Sequence, residues 1–392
     1  MHTADPAQLA RIVGAAHVVA GGGPAQVRPG SIDEAAAVVA LAHEHRWTVQ
    51  PQGNGTRQAM CQHVGSGADI VLQLARLDRL IEHHPQNLVA AVQCGMPWSS
   101  LQQALATAGQ RVPLDPPDPP HPPHRSGDAR ITGGTVGGVL ATNAYGPLRL
   151  GYGTARDRLI GATIIRHDGK LIHTGGMVVK NVSGYDLGKL HIGSHGTLGI
   201  IVRANFKLAP LPAARATVAL HVASREAAWR IVSALRMQPV NLVSAVQRDN
   251  ELRLGLESSS DAALAAQLQL VPVDARAVSD DPPPVAHPFR IRLHGAPASM
   301  HALLDAAPRP AGTTETLLVG SGVAWWDCPT APDVSALRAA FAQVIIERQP
   351  RELDARIPRA PISDPATARI TRELKRALDP DGRFPSWPLA EA

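Results

Sequence analysis

Two glycine-dense segments constrain this chain more than any other feature: Pro51-Gln-Gly-Asn-Gly-Thr56 and Gly133-Gly-Thr-Val-Gly-Gly138. Glycine and asparagine tolerate left-handed dihedrals, so such a segment can turn consecutive peptide N–H groups toward one anion. Either segment alone reads as an ordinary tight turn. With Tyr152-Gly153, Arg156-Asp157 and Gly193-Ser-His-Gly-Thr-Leu-Gly199 downstream, the set points to several loops lying along one extended, phosphate-containing ligand. Glycine packing in a crowded fold is the alternative. Two familiar phosphate motifs are excluded. Gln58 stands where a dinucleotide fingerprint carries its third glycine, and Gly169-Lys170 and Gly188-Lys189 each precede leucine rather than the Ser or Thr of a P-loop.

The surrounding pattern is mixed α and β. Ser31-Ile-Asp-Glu34 is a capping box that opens a helix through His43, with Ala35, Val38, Val39 and Ala42 on one apolar face. Trp47–Gln50 reads as a strand running into the first glycine segment, followed by strands at 69–74, 79–83 and 88–93. Pro97 starts a helix that Gly109 stops. Residues 113–130 read as an extended Pro- and His-rich loop, and Thr132–Gly153 as a second, glycine-dense one. Asp168-Gly169 marks a hairpin turn between Ile164-Ile165 and Leu171-Ile172. After Pro210-Leu-Pro212 two successive rounds of β-α-β-β-α texture follow, over 217–268 and 289–347. They predict a small α+β domain built from ferredoxin-like halves. A last helix spans Thr367–Leu378.

Composition removes several classes of function. The chain of 392 residues is 44% hydrophobic, enough for a large α/β domain and a smaller one. Its net charge of +5 is scattered, and aromatics make up 3%, which excludes a basic, aromatic-studded nucleic-acid surface. Cys61, Cys94 and Cys328 form no C-x-x-C pair, so the chain holds neither a cysteine zinc site nor an iron–sulfur cluster of its own. Asp5 precedes any apolar run, unlike a secretory signal, and the uncharged stretch Ile131–Leu148 is too rich in glycine for a membrane helix. A soluble, cytoplasmic protein is expected.

The motifs Pro51–Thr56, Thr135-Val-Gly-Gly138, Tyr152-Gly153, Arg156-Asp157, Lys180-Asn-Val-Ser-Gly-Tyr-Asp186 and Gly193–Ile200 resemble, in order, the FAD-binding domain of the vanillyl-alcohol oxidase (PCMH-type) flavoprotein superfamily. The resemblance is strongest to the FAD-binding subunits of bacterial glycolate oxidase and weaker to D-lactate dehydrogenases. It covers residues 25–212, and Leu374-Lys-Arg-Ala-Leu-Asp-Pro-Asp-Gly382 resembles the family's C-terminal ending. The implied fold is α+β: a PCMH-type FAD-binding domain of two α/β subdomains over 1–212, a ferredoxin-like substrate, cap or interaction domain over 213–375, and a tail over 376–392 returning to the first domain. By resemblance, Gly53, Asn54, Gly55 and Thr56 wrap the FAD pyrophosphate, and Thr135, Gly137 and Gly138 line its phosphate and ribityl portion. Asn143, Gly146, Tyr152, Gly153 and Arg156 lie along the flavin side, and Gly199 and Ile200 supply backbone contacts. Relatives that attach FAD covalently place His or Cys where Thr56 stands, so non-covalent FAD is expected. The chain departs from the family pattern at Gln52, in the proline-rich stretch 116–124, and in Phe384-Pro-Ser386.

The activity implied is that of a subunit of a glycolate-oxidase-like 2-hydroxy-acid (glycolate or D-lactate) dehydrogenase. Hydride passes from the substrate α-carbon to flavin, and electrons pass on to an iron–sulfur subunit. A larger FAD-binding homologous subunit is the other implied partner, and membrane contact comes only through partners. A non-catalytic electron-relay or assembly subunit is the alternative, because the H-G-D-G-N-x-H type segment of two-domain relatives is missing. The residues single out no catalytic base, and none of the 33 arginines as the carboxylate holder. His121/His124, His43/His45 and His191/His195 lack a nearby carboxylate at a familiar spacing and read as solvated positions, so no metal is assigned. Trp325-Trp326 reads as a core or interface pair, and Lys180, Tyr185 and Asp186 as either functional groups or a buried polar network.

Overall fold

The computed structural model describes residues 4–57, 67–117, 133–177, 186–272, 274–278, 287–350 and 364–386. They divide into two compact units, one from 4–145, 154–211 and 366–386, the other from 146–153 and 212–365. Cys61, Lys180, Tyr185, His121, His124 and most of the Pro/His-rich loop lie outside the described residues.

The first unit begins with α1 (Pro6–Val13), β1 (Val18–Val19), β2 (Ala25–Val27), α2 (Ile32–Glu44), β3 (Val49–Gln52) and β4 (Ile70–Gln73). Strands β2, β4 and β3 run parallel in that spatial order, with β1 antiparallel at the edge. Helix α2 starts where the capping box predicts. Ser31 Oγ accepts the Glu34 N–H at 3.0 Å, and the Glu34 carboxylate accepts the Gly30 N–H at 2.7 Å. Ala35, Val38, Val39 and Ala42 are all buried and share one core with Val27, Val49, Ile70 and Leu72.

The chain continues through β5 (Leu80–His84), β6 (Val89–Gln93), α3 (Trp98–Ala106), β7 (Gln110–Arg111), α4 (Val136–Ala141), α5 (Arg149–Tyr152, in the second unit), α6 (Ala155–Arg158), β8 (Leu159–Ile165), β9 (Leu171–Gly175), α7 (Leu187–His191), β10 (Ile200–Lys207) and β11 (Ala209–Pro210). Strands β5-β6-β10-β8-β9 make an antiparallel sheet, and Leu101, Leu105, Val136 and Leu140 cluster with its Ala90, Val92, Ala204 and Phe206. Gly169 turns the β8–β9 hairpin at φ +78°, and a Cβ there would stand 2.7 Å from Ala36 O and Ala40 N. The hairpin tip therefore sits on α2.

Helix α4 is a correction, since the glycine-dense stretch reads as loop. Each glycine costs a helix about 1 kcal/mol relative to alanine. Here tertiary bonds override that cost. Val136 N–H donates to Met96 O at 2.9 Å, Gly137 N–H donates to Cys94 O at 2.8 Å, and Thr135 Oγ1 accepts the Gly138 N–H at 3.1 Å. A Cβ on Gly137 would stand 3.0 Å from Cys94 O, so the close approach that seats the helix also excludes larger residues.

The second unit holds β12 (Ala214–His221), α8 (Arg225–Leu235), β13 (Leu242–Arg248), β14 (Glu251–Ser258), α9 (Asp261–Leu268), β15 (Arg276–Ala277), β16 (Phe289–His294), α10 (Met300–Ala306), β17 (Thr314–Leu318), β18 (Val323–Cys328), α11 (Val334–Ala340) and β19 (Gln343–Arg348). One antiparallel sheet runs β15-β12-β14-β13-β17-β18-β16-β19. The two rounds of the sequence pattern are its halves, joined where Val246 of β13 pairs with Leu318 of β17. Trp325 and Trp326 are buried in β18, and the Trp326 indole donates to Glu315 Oε2 at 2.8 Å.

From Ala366, at the start of α12 (Pro365–Leu378), the chain belongs to the first unit again. The turn Asp379-Pro-Asp-Gly382 is built around the buried Asp379 carboxylate, which accepts the N–H groups of Arg383 at 2.8 Å and Phe384 at 2.9 Å. Val49 N–H donates to Arg383 O at 2.7 Å, tying this turn to β3.

Candidate cofactor site

The first unit contains a cleft of about 700 Å³ including its open mouth. Its wall is assembled from three places: the loop Gly53–Arg57 that leaves β3, the capped start of α4, and the segment His195–Ile201 that leads into β10. The loops meet because glycine lets them. A Cβ on Gly53 would stand 2.2 Å from Thr135 Oγ1, and one on Gly196 would stand 2.6 Å from Pro51 Cγ. Gly55 takes φ +71° and Gly196 φ +74°, the left-handed region that side chains disfavour. Asn54 Nδ2 donates to Gly133 O at 3.2 Å, fastening the first loop to the second.

The cleft suits an extended anion. Its described lining contains no Asp or Glu and includes the Arg57 guanidinium, which donates to Pro117 O at 2.6 Å. Among the described residues no backbone acceptor takes the N–H groups of Asn54, Gly55 or Thr56. These three residues are half-buried at the cleft wall, where their peptide N–H groups can meet an oxyanion. The α4 amides differ: those of Val136, Gly137 and Gly138 are spent on Met96 O, Cys94 O and Thr135 Oγ1. Leu74, Cys94, Ile200 and Ile201 add an apolar wall suited to a flat ring. Burial pushes the Cys94 thiol far up, so it stays protonated.

Of the residues expected from sequence, Gly53, Asn54, Gly55, Thr56, Thr135, Gly137, Gly138, Gly199 and Ile200 line this one cleft. Asn143, Gly146, Tyr152, Gly153 and Arg156 do not. Asn143 follows α4 at φ +45°, and its Oδ1 is buried without a hydrogen-bond partner. Arg156 donates to Lys189 O at 3.0 Å. Gly146, Tyr152 and Gly153 belong to the second unit, where the Tyr152 hydroxyl donates to Glu257 Oε2 at 2.5 Å. Asp186 caps α7 by accepting the Lys189 N–H at 3.2 Å.

Arg57, Leu74, Cys94, Thr142 and His195 line the cleft without being among the expected residues. His195 lies inside the Gly193–Gly199 motif, at φ +53°, and that motif was the available signal. Nothing in the sequence around Cys94 marks it. Below this loop His191 is buried, with Nδ1 against Leu187 O at 2.9 Å, and burial holds its imidazole below the ordinary pKa. Lys375 of α12 donates to Thr197 O at 2.7 Å, Phe384 O at 3.1 Å and Pro385 O at 3.0 Å, and pairs with Asp379. One partly buried ammonium thus joins the C-terminal return to the loop that carries His195 and Gly196.

Comparison with known proteins agrees with the character of the cleft. Residues 24–175 match a family described as "FAD binding domain". The chain is 31% identical over 250 residues to glycolate oxidase subunit GlcD of Bacillus subtilis, an alignment covering 61% of this chain and 50% of that protein. It is 33% identical over 188 residues to glycolate oxidase subunit GlcE of Escherichia coli, covering 48% and 50%. Proteins named D-2-hydroxyglutarate dehydrogenase and D-lactate dehydrogenase are also related. The matched region spans about half the length of these first relatives. A solved alkyldihydroxyacetonephosphate synthase shares the fold, with a TM-score of 0.63 over 93% of this chain and 76% of that one, at 15% identity.

Proposed function

Because residues 24–175 match a family described as an FAD binding domain, we propose that this chain holds FAD non-covalently as a subunit of a glycolate-oxidase-like dehydrogenase acting on a small 2-hydroxy acid. The observation that carries the reading is the cleft itself: among the described residues, amides on Asn54–Thr56 that no backbone acceptor takes, no lining carboxylate, and an apolar wall at Leu74, Ile200 and Ile201. Gly53, Asn54, Gly55 and Thr56 hold the pyrophosphate through peptide N–H groups. Thr135, Gly137 and Gly138 keep the second loop close enough to complete that wall. Gly199 and Ile200 present backbone to the ring end. Thr56 cannot form a flavin linkage of the His or Cys type, and the Cys94 thiol is protonated and buried.

FAD supplies the hydride acceptor, and the chain's residues bind it, shield it from water and orient it. Electrons leave to an iron–sulfur partner, since the sequence contains no cysteine set for a cluster. A larger FAD-binding homologous subunit completes the complex, and any membrane contact is made by partners: no helix among the described residues is long and apolar enough to cross a membrane. The two β-α-β-β-α-β halves of the second unit, each with the strand order of a ferredoxin-like fold, form the cap or interaction domain.

The H-G-D-G-N-x-H type segment is absent from the sequence, and that favours a second reading, a flavin relay without its own substrate chemistry. Anaerobic addition of glycolate or D-lactate to the purified flavin-loaded chain separates the two. Bleaching of the flavin band supports the dehydrogenase. A band that stays oxidised until the larger subunit is added supports the relay.

A further inference from the structure

The first unit contains a second constellation, away from the cleft. His43 closes the last turn of α2, His167 lies in the β8–β9 turn, and Asp381 lies in the turn after α12. One ligand atom from each of the three lies within 4.8 Å of the others. His43 Nδ1 stands 3.6 Å from Asp381 Oδ2, and His167 Nδ1 stands 3.7 Å from the same oxygen. Both separations are too long for hydrogen bonds. Both Nδ1 atoms are nonetheless buried and have no hydrogen-bond partner, and His167 as a residue is only 8% exposed.

Two buried imidazole nitrogens without a hydrogen-bond partner, each beyond hydrogen-bond range of one carboxylate oxygen, need an explanation. Mutual pairing does not give one, because the two rings meet edge to face with centroids 5.3 Å apart. A shared cation does. With metal–ligand bonds of about 2.0–2.1 Å, neighbouring ligands of a tetrahedral zinc ion lie about 3.3 Å apart, near the two nitrogen–oxygen separations of 3.6 and 3.7 Å. Two histidines and a carboxylate are a donor set that zinc-class ions accept, with water in the remaining position on the half-exposed Asp381 side.

The three residues are also held in place. The β8–β9 turn rests on α2 through Gly169. Asp381 is placed by the bonds of Asp379 to Arg383 and Phe384, and its own carbonyl accepts Arg383 Nη2 at 2.7 Å. We propose that His43, His167 and Asp381 form a structural site for a divalent ion of the zinc class, which pins the C-terminal turn to α2 and the β8–β9 hairpin. The sequence pattern hides it, because the ligands come from three distant segments and His43 reads there as one of a solvated His43/His45 pair.

The test uses the full chain stripped with EDTA and titrated with Zn²⁺ against a chromophoric chelator, with bound zinc counted by atomic emission. The site requires one ion per chain and a thermal midpoint that rises with added zinc. His167→Ala and Asp381→Asn should each weaken binding more than about tenfold. Asp381 is half-exposed, so Asp381→Asn keeps the fold and its urea midpoint in EDTA matches the parent chain. A double His121→Ala/His124→Ala variant, altered only in the Pro/His-rich loop, should bind as the parent does. The proposal is overturned if the parent binds no stoichiometric zinc, if Asp381→Asn binds it undiminished, or if the His121/His124 variant is the one that loses it.

Discussion

Gly53 and Thr135 approach each other so closely that a single methyl group on Gly53 would stand 2.2 Å from the Thr135 hydroxyl. That hydroxyl is already committed as the cap of α4, accepting the Gly138 N–H. The first glycine loop and the start of α4 are therefore one mechanical unit, and the cleft wall depends on both.

Gly53→Ala should force Thr135 aside, weaken FAD binding more than about tenfold and cost about 1–3 kcal/mol of stability. Thr135→Ala should lose the cap alone, about 1 kcal/mol, while Thr135→Ser keeps it. Flavin-to-protein absorbance ratios and urea midpoints check the series. Gly53→Ala retaining full flavin would contradict this coupling.

Lys375 binds three backbone carbonyls and the buried Asp379 carboxylate. Burial lowers its pKa while Asp379 pulls the other way. Lys375→Met leaves those acceptors unpaired and should cost about 3 kcal/mol, the usual scale for breaking a buried pair. Because Thr197 loses its anchor, flavin release should also quicken. A variant within about 0.5 kcal/mol of the parent would show the network to be idle.

The elements that the sequence displays plainly are those whose signals are local. The buried face of α2 follows from Ala35, Val38, Val39 and Ala42, and the β8–β9 turn follows from Asp168-Gly169. Helix α4 was hidden because its stability comes from Met96 and Cys94 carbonyls on another segment, against the propensity of Gly137 and Gly138. Lys375 stands in the C-terminal motif, and its i,i+4 pair with Asp379 is local, whereas its bonds to the carbonyls of Thr197, Phe384 and Pro385 leave no mark in the sequence. In the cleft, motif glycines were legible, whereas Cys94 and Leu74 arrive there by strand packing.

His294 ends β16 in the second unit, and burial, with Arg292 and Arg149 adding repulsion, lowers its pKa to about 3. An unfolded imidazole titrates near its ordinary 6.5. Its contribution is thus complete above pH 6.5 and is lost as pH falls from there toward about 3, because only the unfolded chain takes up the proton. Between pH 7.5 and 5.0 the parent chain should lose about 2 kcal/mol more than His294→Gln does. Urea midpoints at the two pH values measure the difference, and parallel losses would refute it.

The central claim, that this chain holds FAD in the Gly53–Thr56 and Thr135–Gly138 cleft without a covalent bond, is tested most directly by its colour. The purified chain is scanned in the visible range, precipitated with acid, and the supernatant scanned again. The account predicts a flavin spectrum that moves wholly into the supernatant and is strongly reduced in Gly53→Ala. Flavin that stays with the precipitate would contradict the non-covalent site, and a colourless chain that added FAD does not restore would contradict the cleft as a flavin site altogether.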